Sequence, residues 1–282
     1  MSDEAALSMN AHISQAETAE ELWAVCGAWG EKAERLQALA DSAPSSDSRL
    51  VADNAAVTVG EKSLAVTRYM QERARNAARM LRALRRLVFT TRPGEFFIDS
   101  TVMYPLMRAA LEDTAALLWL QSPEGRPERL TRIFRTLVSE NVFYTENNRL
   151  LGVAVSGVPE AAGDSEKLTA HMEEQKRESE EHFRQLAEAV GLDASQALKK
   201  TFTSTPVQAE YGSESVEFIT WKFLSDLSHF SFMMLRHLAT SRVPESDAHL
   251  EHVTLLQFSQ TVNRVCDDAV EAFERSLQPT NA

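Results

Sequence analysis

Apolar residues recur every three or four positions along most of the chain, the spacing that gathers them on one face of an α-helix. Leu22, Val25, Cys26, Trp29, Ala33 and Leu36 follow it and predict a first helix over 17–41, after a frayed start at 1–15. The turn-forming run at 41–48 (DSAPSSDS) predicts a loop. Thr67, Met70, Ala74, Ala77, Leu81, Leu84 and Val88 then alternate by three and four like a heptad seam, predicting a helix over 57–90. TTRPGEFF at 90–97 breaks it. Residues 99–121 are apolar nearly all round, the signature of a central helix, with Asp99 or Ser100 as N-cap. Pro105 falls in its first turns or kinks it.

Pro127 suits the first position of a fourth helix that runs to about 155. A loop at 156–165 leads to a helix over 165–190, stopped by Gly191. Residues 192–212 predict a short helix and a loop around Pro206. One helix is expected over 213–240, then a turn (SRVPESD) and a last helix over 247–277. No internal repeat or clear linker is visible. The pattern predicts an all-α fold, an elongated helical bundle of about six long helices plus a short one. Residues 1–56 are expected to form an N-terminal helix and flexible loop, and 57–282 one continuous main bundle.

Composition narrows the function. A chain of 282 residues, 44% hydrophobic, can bury a sizeable core, and only 10 Gly and 9 Pro interrupt it. Its start, MSDEAAL, is acidic and polar, unlike a secretory or transit segment. No uncharged apolar run approaches the roughly 20 residues of a membrane span, so a cytoplasmic, non-membrane protein is expected. Cys26 and Cys266 sit in no metal-ligand spacing, so two reduced thiols are expected, with no metal and no cofactor. A net charge of −12 opposes nucleic acid overall, so any nucleic-acid role needs a local basic patch.

Three constellations could carry chemistry. Thr101, Tyr104, Arg108 and Glu112 share one stripe of the central helix, and Arg108 and Glu112 are spaced to form an ion pair. That pair is either structural or part of a site. In the 213–240 helix, Lys222, Asp226, His229 and Arg236 share a stripe, with Ser225 beside it. Asp226 could orient the His229 imidazole as a general base and Lys222 could steady an anion. The plainer reading is a core histidine satisfied by Ser225 or Asp226. Third, Arg68, Arg75, Arg79, Arg82 and Arg86 stack on one face of the second helix. They either track phosphates or are neutralised by Glu173, Glu174, Glu178, Glu180 and Glu181, within the chain or across a dimer. Asn141, Thr145 and Asn148 could line a pocket or bond one another. Asp226-x-x-His229 is a poor match to a di-iron bundle pattern, and no phosphate-binding glycine loop or nucleophile elbow is present.

Two stretches, LMRAALEDTAALLWLQSPEGRPERLTR (106–132) and WKFLSDLSHFSFMML (221–235), together resemble a set of uncharacterised bacterial helical proteins. These carry an Arg-x-x-x-Glu helix and a later Ser-x-x-x-His helix, and are distantly similar to HEPN-type bundles. Many HEPN-type proteins are metal-independent RNases of toxin–antitoxin and phage-defence systems, and others are inactive binding modules. The resemblance implies that His229 matches the motif histidine and Ser225 the motif serine. Lys222 stands where the motif has arginine, a point charge in place of a planar fork. It also implies a homodimer, for which the 67–88 seam and the complementary charges of the second and fifth predicted helices are the expected surfaces. The expected function is a HEPN-like protein of a defence or stress system and candidate metal-independent RNase, with Arg75, Arg79, Arg82 and Arg86 guiding RNA. The alternative is an inactive helical module that binds a cognate protein or a small ligand near Arg108, Glu112 and His229.

Overall fold

The computed structural model describes residues 15–59, 62–89, 99–156, 162–229, 231–243 and 249–280. Among them are eleven helices and one two-stranded antiparallel ladder, an all-α bundle. The expected frayed start, the 90–97 break and the tip of the SRVPESD turn lie outside the described residues. The elements are α1 (Gln15–Asp41), α2 (Arg49–Ala56), β1 (Thr58–Val59), β2 (Lys62–Ser63), α3 (Val66–Val88) and α4 (Ser100–Gln121). Then come α5 (Arg126–Ser156), α6 (Ala162–Ala189), α7 (Ala194–Ala197), α8 (Thr205–Tyr211), α9 (Val216–Ser228), α10 (Phe232–Thr240) and α11 (Leu250–Leu277). Among the described residues no helix is long and apolar enough to cross a membrane.

The chain folds into two compact units. The first comprises residues 1–43, 70–119 and 206–275; the second comprises 44–69, 120–205 and 276–282. This division runs across the segments 1–56 and 57–282 rather than between them.

In the first unit α1 is built into the bundle. Trp29 and Leu36 are fully buried, Lys32 pairs with Asp267, and Arg35 Nη2 lies 2.8 Å from Glu274 Oε2 on α11. The seam of α3 is spent inside the unit: Met70, Ala74, Ala77, Leu81 and Leu84 have no exposure, so they offer no dimer surface. Central α4 buries Met103, Tyr104, Met107, Leu111, Ala115 and Leu117, as its all-round apolar character requires. Asp113 on the same helix accepts from Arg73 Nη1 at 2.7 Å and from Asn76. Burial raises its carboxyl pKa, and the Arg73 and Asn76 bonds oppose that shift. Asp99 is the residue that caps α4, its Oδ1 accepting from Thr101 N at 3.1 Å.

In the second unit the predicted 57–90 helix begins only at Val66. Ser48 caps the unforeseen α2 by accepting from Val51 N, and the β-branched Thr58 and Val59 form the ladder instead. Asp53 is fully buried and accepts from Arg129 Nε at 2.7 Å and Nη2 at 2.9 Å. The same guanidinium donates to the Pro123 and Glu124 carbonyls, tying the start of α5 to α2. The helix α6 starts at Ala162, earlier than expected, and ends before Gly191, whose φ of 75° suits glycine. Thr145 donates to the Asn141 carbonyl, so among the described residues the side chains of Asn141, Thr145 and Asn148 do not bond one another, and Thr145 and Asn141 each line a small cavity against α6.

Candidate functional site

The helix expected over 213–240 is two helices in the first unit. Ser215 caps α9, accepting from Phe218 N at 3.0 Å. Its other end closes at Ser228, whose hydroxyl donates back to the Leu224 carbonyl. Such back-bonding competes with the main-chain ladder and bends helices. His229 therefore occupies the C-cap of α9, its N–H donating to the Asp226 and Leu227 carbonyls. Arg236 lies on α10 and does not continue the α9 stripe.

This cap position exposes His229 and points it at α4. Its Nε2 lies 3.4 Å from Arg108 Nη1. A guanidinium can only donate, so the contact suits a neutral imidazole with its proton on Nδ1. Arg108 is held from behind: its Nε donates to Glu112 Oε1 at 2.9 Å. The same carboxylate oxygen accepts from Trp221 Nε1 at 3.0 Å. Arg108 and Glu112 are 22% and 21% exposed, so the pair is half-buried and its Arg end reaches solvent. Trp221 stacks on Phe218 one turn earlier.

The structure thus brings together Arg108, Glu112 and His229 from the two regions singled out by sequence. Lys222 and Asp226 are exposed and Ser225 is half-buried. Among the described residues, none of the three makes a side-chain hydrogen bond or ion pair. Asp226 touches His229 only through its backbone carbonyl, so it does not orient the imidazole. Tyr104 and Thr101 do not join the site: Tyr104 is buried against Phe258 and its hydroxyl has no hydrogen-bond partner among the described residues, and Thr101 is exposed. Trp221 escaped the sequence reading, although an indole N–H inside an apolar helix calls for an acceptor.

The arginine face of α3 is split. Arg75 donates to Glu72 Oε1 at 2.9 Å, Asp41 Oδ1 at 3.2 Å and the Ala40 carbonyl at 2.9 Å. The bonds from Gln37 and Arg75 lower the Asp41 pKa. Arg82 donates twice to Gln37 Oε1. Arg79 and Arg86 are exposed and make no hydrogen bond or ion pair among the described residues. Two of the five acids of α6 find partners on their own helix, Glu174 with Arg177 and Glu181 with Arg184. No family model, curated protein or solved structure matches this chain.

The first unit also holds an apolar cavity of about 400 Å³ between α9, α10 and α11. Ile219, Phe223, Met234 and Leu238 line it, with His237, Thr254 and Gln257 among its polar groups. Among the described residues no group of three or more His, Cys, Asp or Glu side chains is placed to hold a metal ion.

Proposed function

We propose that this chain is a HEPN-like, metal-independent endoribonuclease of a defence or stress system. One observation carries the reading: an exposed imidazole, His229, stands 3.4 Å from a guanidinium, Arg108, that is anchored by Glu112 and Trp221. A neutral ring nitrogen beside a fixed cation fits transfer of a proton from a hydroxyl next to a phosphate.

In the proposed reaction His229 Nε2 takes the proton of a ribose 2′-hydroxyl. The 2′-oxygen attacks the adjacent phosphorus, and Arg108 balances the charge on the phosphoryl oxygens. The P–O5′ bond breaks, and the leaving oxygen is protonated from solvent. The products are a 2′,3′-cyclic phosphate and a 5′-hydroxyl. Arg108 thereby fills the role that the family resemblance gives to Lys222. Arg79 and Arg86 are the members of the α3 face left to attract RNA, because Arg75 and Arg82 are engaged. The test is incubation of labelled RNAs with the protein in EDTA. Cleavage by wild type that His229→Ala abolishes supports the reading, and no cleavage by folded wild type over a broad RNA panel rejects it.

The apolar cavity favours a second reading, a catalytically silent binder of a small, largely apolar ligand. Its volume and lining match ordinary ligand pockets. Thr254→Phe would fill the cavity. A compound that raises the unfolding temperature of wild type but not of this variant would support the second reading.

A further inference from the structure

The C-terminal half of α5 carries an apolar strip that no described residue of the second unit covers. Phe143 is 64% exposed, Tyr144 60%, Leu150 50% and Leu151 59%. The four form two pairs seven residues apart, which brings both pairs onto one side of the helix. The other side of α5 is occupied, since Val142, Thr145 and Arg149 line a small cavity with Met172 and Lys176 of α6. The α5–α6 hairpin thus leaves the strip facing solvent.

We propose that the occupant of this strip is α5 of a second copy of the chain, packed antiparallel about a twofold axis near Asn147. Charge favours a copy of itself. Between residues 143 and 151 the charged residues are Glu146 and Arg149, and these pair with each other beside α6. A protein of net charge −12 can therefore meet its own copy here without opposing like charges. The strip is also centred on Asn147, midway between Phe143 and Leu151. An amide both donates and accepts, so it complements an identical amide across an axis, whereas an ionised side chain would oppose its copy. Buried asparagines fix register in helical seams for the same reason.

The strip alone supplies part of the area that a stable dimer needs. The exposed parts of the four side chains amount to roughly 400 Å², about half of the ~800 Å² each partner gives to a standard interface. Asn147, Asn148 and Ala154 extend the contact. The strip lacks the cations an RNA backbone requires. It is also separate from the α3 seam, which the first unit buries.

Sedimentation of the full chain tests the proposal. Wild type is expected to dimerise below about 100 μM. Tyr144→Glu/Leu151→Glu is expected to weaken association more than about 30-fold with unchanged helix content, because both side chains are exposed. Asn147→Cys supplies a second measurement, since Cys26 and Cys266 are buried. Oxidation should link this variant into a covalent dimer, whereas Glu178→Cys on α6 should associate without being cross-linked. A wild type that stays monomeric at that concentration overturns the proposal and leaves the strip to another partner. Dimerisation that survives the double variant, or equal cross-linking at 178, overturns it too.

Discussion

Arg108 Nη1 and His229 Nε2 stand 3.4 Å apart although 121 positions separate them in the chain. The contact exists because α9 stops at Ser228, which places His229 at its cap, and because Glu112 and Trp221 hold the guanidinium in place. It changes which cation belongs with the histidine. Lys222 shares a helix with His229, yet Arg108 from α4 is the charge beside the ring.

Arg108→Ala should therefore lower ribonuclease turnover by about 10²-fold or more, the usual loss when a transition-state donor is removed. Lys222→Ala should lower it by less than about threefold, because Lys222 is exposed and makes no side-chain hydrogen bond or ion pair among the described residues. Single-turnover cleavage rates of the two variants check this. Equal losses would return the role to Lys222.

Glu112→Gln keeps an acceptor for Trp221 but removes the charge that fixes Arg108. Turnover should fall by about tenfold, with KM changing less, because misplacing a reacting group costs rate before binding. Trp221→Phe removes the indole donor and should act in the same direction. The split between kcat and KM distinguishes positioning of Arg108 from loss of folding, which circular dichroism reads separately.

Much of the fold was legible because its signals are local. The apolar spacing located α1, α4, α5, α6 and α11, and Gly191 marked the end of α6. Where the reading went wrong, tertiary packing or side-chain chemistry competed with periodicity. The α9–α10 break lies inside one continuous apolar pattern, where no Gly or Pro marks it. The α2 helix and the ladder occupy a stretch too short for a helical repeat to show. Arg108, Glu112 and His229 were each visible, but their meeting depends on how α4 and α9 pack. The arginine face of α3 was visible as well, and the acceptors Asp41 and Gln37 on α1 were not.

Asp53 and Arg129 form the most deeply buried ion pair described, with side-chain exposures of 0% and 4%. Removing Asp53 strands Arg129 in the interior, and removing Arg129 leaves the buried Asp53 with only the longer contact to Arg126 Nε at 3.5 Å. Asp53→Ala or Arg129→Ala should destabilise the second unit by about 3–5 kcal/mol, measured by urea unfolding. The double substitution Asp53→Leu/Arg129→Met should cost less than either single change, because no charge is left unpaired.

The two thiols give a pH signature. Burial pushes Cys26 and Cys266 up to about 12 from an ordinary 9.0. A pKa raised in the folded state means that the native protein keeps protons the unfolded chain would release. Their contribution to stability is complete below pH 9 and is lost as pH rises toward 12. Neither thiol should react with a disulfide reagent at pH 8 in the native protein, and both should react in denaturant.

The proposed activity is cleavage of RNA by His229 and Arg108 without a metal ion. The most direct measurement follows a labelled RNA in excess EDTA with wild type, His229→Ala and Arg108→Ala, and identifies the product ends. Wild type should give 2′,3′-cyclic phosphate ends, His229→Ala should give no products, and no cleavage should occur where a single 2′-deoxynucleotide replaces the attacked ribose. Cleavage that persists in His229→Ala, or that proceeds through the 2′-deoxy position, would contradict it.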